Sequence, residues 1–386
     1  MKMSRCLLAV TLVLSPTLTA SADSPALQPY GFVRLDGILN DSPMNSAQSP
    51  GWVLSEVANP TDPDQVAKDQ GEINIHPRLT RFGVNIAKTT VGNDVSIAGK
   101  IEADFQNGGS ESRQAVRMRH GYFTVSRGVW EVLAGQTWDV ISPLYPFVNH
   151  DSMMWNSGNP GDRRPQLRFS LRPQVGEGNA RIAVAVATPN AINNRDLDGN
   201  GIRDGSYAML PAMQGLAELD LSAILIGVSG HFHRDRVVVD TGTALAESDF
   251  DATLLAGHVK IPVGKRLTVI GEAFTAQNAD DVRAGIGQGI NQALNKEIRT
   301  VGGWGEIRVQ LNQRWSVAAG GSVDNPKDAD LSDGMRTKNQ AAYGGLGLRA
   351  LDRVQVGLEF IHWKTDYVNA PDGDANRVDL WGRMSF

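Results

Sequence analysis

Hydrophobic and polar residues alternate with a period of two along much of the chain, which predicts β-strands with one apolar face. In residues 31–39, Val33 and Leu35 fall on one face of the strand, whereas Arg34 and Asp36 fall on the other. The same alternation recurs at residues 95–105, 305–311, 354–360 and 377–386. Because no segment of another type is present to cover the apolar faces, lipid must cover them. The pattern predicts an all-β fold, a transmembrane antiparallel β-barrel.

Short turns and long polar links alternate between the predicted strands, as they do in membrane barrels with long extracellular loops. A mature chain of 364 residues, with roughly 45 residues per hairpin, gives about sixteen strands. The strands are predicted near residues 30–39, 78–88, 94–106, 115–126, 130–138, 165–172, 180–188, 214–222, 224–234, 251–261, 267–276, 300–311, 314–323, 341–349, 354–363 and 377–386. We expect the last strand to close the barrel against the first, so that no edge is left open.

Residues 1–22 have the three regions of a secretory signal peptide. Lys2 and Arg5 form the basic start, an apolar run follows, and the small residues Ala20 and Ala22 mark a cleavage site after Ala22. The only cysteine, Cys6, is removed with the signal. The mature barrel, residues 23–386, is therefore expected to contain no disulfide bond.

Composition excludes two classes of protein. The mean hydropathy is −0.24 and no apolar run reaches 18 residues, which excludes a helical membrane protein. The formal net charge of −5 becomes −7 when Lys2 and Arg5 leave, so the mature chain is acidic and is not expected to bind nucleic acid.

The third long link, residues 142–170, combines proline and glycine with aromatic residues and methionine. A loop with this apolar content packs against something, and long ordered loops are usually functional. We therefore expect the third loop to fold into the lumen.

Charged residues on the polar faces of the strands are the candidate pore-lining residues. They are Arg34, Asp36, Arg81, Lys100, Glu102, Asp104, Arg117, Arg119, Arg163, Arg164, Arg168, Glu306, Arg308, Arg349, Glu359, Arg377, Asp379 and Arg383. One interpretation is that a wet wall simply pairs its charges; the other is that surplus arginines admit anions, whose carboxylates fit the planar guanidinium. Carboxylates concentrate in the long loops, including Asp280, Asp281 and Asp330, which predicts an acidic mouth above a cationic wall.

The stretch "DLDGNGIRDG" resembles a calcium loop in its spacing. Its ligand positions are Asp196, Asp198, Asn200, the Ile202 carbonyl and Asp204. The twelfth position is Tyr207 instead of glutamate, and the same residues are good turn formers, so a calcium site and a simple turn stay open as alternatives. The chain requires no other cofactor.

Two further motifs carry less chemistry. The "HFH" motif places His231 and His233 on one strand face, but the sequence offers no third metal ligand, which favours two ordinary histidines at the rim. The glycine-rich "GIGQGIN" at residues 285–291 lacks the strand–helix context of a phosphate loop.

Several short motifs resemble the DcaP-like outer-membrane porins. They are "GQTWD" at residues 135–139, "RRPQLRFS" after the third loop, "GKIEADF" at 99–105, and "GLEFIHWKTDY" leading to the final "RVDLWGRMSF". The resemblance implies trimers of sixteen-stranded barrels in the bacterial outer membrane, surrounded by lipid, and an association with dicarboxylate-like anions. It also implies that the final residue, Phe386, belongs to the signal read by the barrel-assembly machinery. The helical segment that precedes the barrel in some relatives is missing here.

The expected function is passive diffusion of small hydrophilic solutes, with a preference for small anionic solutes such as carboxylates. Two alternatives stay open, a barrel enzyme of the outer membrane and an adhesin with a closed lumen. An enzyme would need a catalytic constellation at one rim, and none of the seven histidines lies in a recognisable catalytic motif.

Overall fold

The computed structural model describes residues 25–56, 59, 61–63, 66, 70–106, 114–148, 152–189, 210–240 and 245–386, with backbone alone at 237–240 and 245–247. These residues form sixteen barrel strands. They are β1 (Leu27–Asn40), β2 (Glu72–His76 and Arg81–Gly92), β3 (Val95–Asp104), β4 (Arg117–Arg127), β5 (Trp130–Trp138), β6 (Arg163–Leu171), β7 (Gly178–Ala187), β8 (Ala212–Leu221), β9 (Ile224–Asp240), β10 (Leu245–Val263), β11 (Leu267–Gln277), β12 (Arg299–Gln310), β13 (Trp315–Pro326), β14 (Arg336–Leu351), β15 (Val354–Tyr367) and β16 (Gly373–Ser385). Among the residues described, no helix has the length and hydropathy needed to cross a membrane.

Each strand pairs antiparallel with its neighbours, and β16 closes the barrel against β1. In this closing pair Leu35 lies opposite Gly382 and Asn40 lies opposite Arg377. The predicted fold, a closed antiparallel barrel of about sixteen strands, is confirmed.

The second strand differs from the prediction because it is interrupted. Its first part, Glu72–His76, pairs with the end of β1, and its second part, Arg81–Gly92, pairs with the start of β1. The predicted strand begins near residue 78 and so leaves out the first part. Ile73 and Ile75 are nevertheless among the most exposed apolar residues, which places them on the outer surface.

The two faces of the strands differ as the alternation predicts. Apolar side chains such as Leu35, Ile101 and Leu380 point outward and are more than half exposed. Polar neighbours such as Asp36 and Glu102 point inward and are buried. An apolar outer belt on this scale requires a lipid environment.

Loop residues fill the interior of the barrel. Met44 and Val53 of the first loop are buried with Met154 against Trp363 of β15. L3 (residues 139–162) connects β5 and β6, and L6 (residues 278–298) connects β11 and β12. Ile141 of L3 packs with Val282 and Ala284 of L6 against Phe274 of the wall. The inward fold of the third loop is confirmed.

Asp280 and Asp281 of L6, and Asp330 after β13, are buried and so do not belong to the predicted acidic mouth. Asp328, Asp333 and Asp372 are exposed, so the mouth itself stays a prediction.

The backbone of Phe386 completes the closing strand pair. Its N–H donates to the Gly31 carbonyl at 3.0 Å, and the Gly31 N–H donates to the Phe386 carbonyl at 3.3 Å. A Cβ atom on Gly31 would lie 2.6 Å from the Phe386 ring, so the ring covers this glycine.

We expect Phe386→Ala to lower the amount of folded barrel in the outer membrane severalfold, because the terminal ring and its assembly signal are lost. Phe386→Tyr keeps the ring and is the matched control. The measurement is the heat-modifiable barrel recovered from outer membranes, and equal amounts for parent and Phe386→Ala would contradict the assigned role.

Candidate channel constriction

The first half of L3 is fixed to the wall by carboxylates that point inward. The Leu144 N–H donates to Glu272 Oε1 of β11 at 2.8 Å, and the Phe147 N–H donates to Glu306 Oε2 of β12 at 2.7 Å. Glu306 was predicted on the inner face, whereas Glu272 was not singled out. The two carboxylates therefore anchor the loop as well as charging the wall.

The second half of L3 reaches strands β12 to β14. Ser157 Oγ lies 3.1 Å from Ser322 Oγ, and Asn339 Nδ2 donates to the Asn156 carbonyl at 2.7 Å. Gly158 has a φ of 110°, and a Cβ atom there would lie 2.3 Å from the Gly303 carbonyl oxygen. The loop backbone therefore lies against the wall, at a distance that only glycine permits.

We expect Gly158→Ala to loosen L3 and to raise the noise of the single-channel current. Gly161→Ala is the matched control, because Gly161 has a similar φ of 115° but its added Cβ atom would meet nothing closer than 3.7 Å. The clash should lower the free energy of unfolding by about 1–3 kcal/mol beyond the control. Equal thermal unfolding temperatures for the two variants would contradict the tight contact.

L6 holds L3 from the inner side. The Gly161 N–H donates to the Val282 carbonyl at 2.7 Å, and the Asn156 N–H donates to the Arg283 carbonyl at 2.8 Å. Arg283 Nη2 also pairs with Asp162 Oδ2 at 2.7 Å. The two loops thus form one inner layer, and the "GIGQGIN" stretch is part of it.

A buried charge cluster lies where the two loops meet β6 and β9. Arg164 is fully buried, with Nε 2.8 Å from Asp139 Oδ1 and Nη1 3.0 Å from Asp281 Oδ2. His231 and His233 of β9 lie beside Asp281. The two histidines are 4% and 0% exposed, so the interpretation as ordinary rim histidines is wrong.

Neighbouring cationic side chains favour the ionised form of two of the buried loop carboxylates, Asp162 and Asp281. Burial alone would raise the pKa of Asp281, but His233, His231 and Arg164 lower the pKa below its ordinary value. At Asp162, burial likewise raises the pKa, but Arg283 and Arg163 outweigh it, so the pKa is also below its ordinary value. For Asp139, burial dominates and raises the pKa.

The lowered pKa values of Asp162 and Asp281 predict a loss of stability in acid. A carboxyl group with a lower pKa in the folded state stabilises that state above its unfolded pKa, near 3.9, and this stabilisation is lost as the pH falls below that value. We expect the thermal unfolding temperature to fall as the pH is lowered through about 4 and to keep falling at lower pH. The decrease should be smaller in Asp162→Asn, and an equal decrease in parent and variant would contradict the assignment.

The predicted pore-lining residues all lie on the inner side of the strands or at the base of L3. Twelve of them are buried: Arg34, Asp36, Glu102, Asp104, Arg119, Arg163, Arg164, Arg168, Glu306, Glu359, Arg377 and Asp379. Arg81, Lys100, Arg117, Arg308 and Arg383 are partly exposed, and Arg349 is exposed.

Many of these charges are paired. Arg119 contacts both Glu102 and Asp104 at 2.8 Å, and Arg117 contacts Asp104 at 2.7 Å. Arg34 pairs with Asp36 and Arg308 with Glu306, whereas Arg377 pairs with Asp379 at 3.0 Å. Whether these residues line a conducting path stays a prediction.

A cavity of about 280 Å³ opens at the end of the barrel that has the short turns. Its polar lining includes Arg314, Arg349 and Arg383, together with Gln310, Ser316 and Gln355. Among the described residues, no carboxylate forms an ion pair with any of the three arginines. We call this space the arginine cavity. Arg314 was missed in the sequence because it follows a two-residue turn.

Aromatic side chains form the remaining walls of the arginine cavity. Phe147 of L3 and Trp381 of β16 line it. Added Cβ atoms would lie 2.8 Å from the Phe147 ring at Gly345 and 2.4 Å from the Trp381 ring at Gly357, so both rings rest on glycines. Arg383 donates from Nε to Gln355 Oε1 at 2.9 Å, which orients its guanidinium.

The calcium-loop prediction, Asp196 to Asp204, lies outside the described residues and stays a prediction, as does the signal peptide.

Sequence comparison identifies the family. The family model for "DcaP outer membrane protein" matches residues 15–269, more than half of the chain. The chain belongs to the DcaP outer membrane protein family. Its structure is therefore that of an outer-membrane porin, as the resemblance implied. Among curated protein sequences, none matches this DcaP family member.

Solved structures agree with the family assignment. The outer membrane channel DcaP of Acinetobacter baumannii has a TM-score of 0.72 at 17% identity, with 93% of this chain and 97% of that chain covered. An anion-selective porin from Comamonas acidovorans has a TM-score of 0.59 at 12% identity, covering 94% and 99%. The trimer form of OmpT of Vibrio cholerae has a TM-score of 0.58 at 11% identity, covering 94% and 100%. At these identities the likeness concerns the fold.

Proposed function

We propose that this DcaP family member is a passive, non-enzymatic channel that prefers small anions such as carboxylates. The observation that carries the proposal is the arginine cavity, where Arg314, Arg349 and Arg383 lie together without carboxylate partners among the described residues. A guanidinium binds both oxygens of a carboxylate through its planar fork.

The surroundings of the cavity strengthen this preference. Gln310, Gln355 and Ser316 add hydrogen-bonding groups, and Phe147 and Trp381 provide apolar surface for the body of a solute. Within a narrow low-dielectric tube the local wall charge outweighs the net charge of the protein. An acidic chain can therefore still favour anions. A structural relative described as an anion-selective porin is consistent with this proposal.

Solute entry into proteoliposomes tests the proposal. Gluconate and glucose are similar in size and differ in charge, so we expect gluconate to enter faster through the purified protein. Equal rates, or faster glucose entry, would contradict the anion preference. Entry of neither solute would contradict the channel itself and would favour a closed barrel, either enzyme or adhesin.

We propose further that three chains associate in the membrane, on the precedent of the trimer form of OmpT. The exposed apolar belt supplies the surface for chain–chain and chain–lipid contacts. Native mass measurement of the detergent-extracted protein should give three chains per particle, and a monomer would contradict the proposal.

A further inference from the structure

We infer that His231, His233 and Asp281 form a binding site for a divalent transition-metal ion of the zinc class, which fastens L6 to the barrel wall. The two imidazoles are two residues apart on β9, so they project from the same face of the strand. The carboxylate comes from L6, 48 positions further along the chain.

The three candidate ligand atoms form a nearly equilateral triangle. His231 Nε2 lies 3.0 Å from His233 Nδ1 and 3.4 Å from Asp281 Oδ2, and His233 Nδ1 lies 3.6 Å from Asp281 Oδ2. In a tetrahedral zinc site with bonds of about 2.0–2.1 Å, ligand atoms are about 3.3 Å apart. The triangle has the size of one face of such a site.

Neighbouring groups prepare these side chains for a cation. His233 Nε2 lies 3.1 Å from Asp235 Oδ1, and this contact fixes the tautomer that leaves Nδ1 as an electron-pair donor. Arg164 Nη1 donates to Asp281 Oδ2 at 3.0 Å and so competes with a metal ion for that oxygen. The second carboxylate oxygen, Oδ1, is buried and has no hydrogen-bond partner among the described residues. It is therefore free to complete the coordination.

The local charge also favours a dication. Asp139 and Asp281 contact Arg164, and Asp235 contacts His233. With neutral imidazoles, the three carboxylates and Arg164 sum to a net charge of −2. A divalent ion balances this charge, and burying an unbalanced charge would cost free energy.

Besides Arg164, the side chain of Gln214 opposes metal binding. Its amide nitrogen lies 3.3 Å from His231 Nδ1, and its oxygen accepts the Val140 N–H at 3.1 Å. Metal binding through His231 Nε2 leaves a proton on Nδ1, so the Gln214 amide must rotate and give up the Val140 hydrogen bond. This loss lowers the affinity without blocking the site.

Zinc binding to the purified, untagged barrel in detergent tests the inference, independently of solute transport. We expect one zinc ion per chain by equilibrium dialysis, and a higher thermal unfolding temperature with zinc. His231→Gln, His233→Gln and Asp281→Asn should each weaken binding more than about a hundredfold, the upper range for loss of an outer-shell partner. His258→Gln is the matched control, because His258 is a buried inner imidazole that pairs with Glu218 at 3.0 Å.

Absence of stoichiometric zinc in the parent, or unchanged zinc affinity in all three variants, would overturn the inference. If the variants do not fold, cobalt in the parent decides. An intense visible spectrum of four-coordinate cobalt with nitrogen and oxygen ligands would support the site. A weak six-coordinate spectrum would overturn it.

Discussion

Replacing Arg164 by methionine is expected to destabilise the barrel by about 3–5 kcal/mol, because it removes the cation between two buried carboxylates. Asp139 and Asp281 are 6% and 1% exposed, so neither can regain the lost interaction from water. Asp281 belongs to L6 and Asp139 to the base of L3. The variant should therefore loosen both loops and increase the single-channel conductance.

Arg172→Met is the control, since Arg172 pairs with Glu131 at 3.5 Å and more than half of its side chain is exposed. An exposed ion pair of this kind contributes under about 1 kcal/mol. Thermal and denaturant-induced loss of the heat-modifiable form measures both variants. Equal stability of Arg164→Met and Arg172→Met would contradict the role of the cluster.

The second large effect is expected on charge selectivity. Replacing Arg349 and Arg383 together by glutamine removes two of the three arginines of the arginine cavity and keeps hydrogen-bonding side chains. We expect the ratio of anion to cation permeability to fall severalfold, because the remaining wall charge is largely paired. Arg127→Gln, at the exposed last residue of β4 on the same end of the barrel, is the matched control. If Arg127→Gln lowers the permeability ratio as much as the double substitution does, surface charge sets the selectivity and the arginine cavity does not.

The alternation of apolar and polar residues was sufficient to predict the strands, because each strand of a membrane barrel has one face toward lipid and one toward the interior. The strand predicted at 130–138 has those bounds as β5. The inward fold of L3 was predictable from its apolar content. The inward fold of L6 was not predicted, because its buried residues Val282, Ile286 and Ile290 do not show the period of two that marks the strands. Contacts with L3 and with the barrel wall hold them inside.

In both sites, the direction of a side chain could be predicted from its position in a strand, whereas its partners from distant segments could not. The common face of His231 and His233 follows from their spacing, but Asp281 joins them only because L6 folds inward. Likewise, the inward direction of Arg164 follows from position, whereas its two partners do not. Ion pairing depends on the closed barrel. It distinguishes the buried, paired Arg164 from Arg349, which has no carboxylate partner among the described residues, although the two looked equivalent in the sequence.

The reversal potential across a potassium chloride gradient tests the central claim most directly. The measurement uses the unmodified protein in a planar bilayer. If the arginine cavity sets the selectivity, the potential has the sign of chloride preference. It grows at low ionic strength, where the screening length exceeds about 10 Å. A potential with the sign of potassium preference would mean that the inner carboxylates control the narrowest part, and would contradict the account.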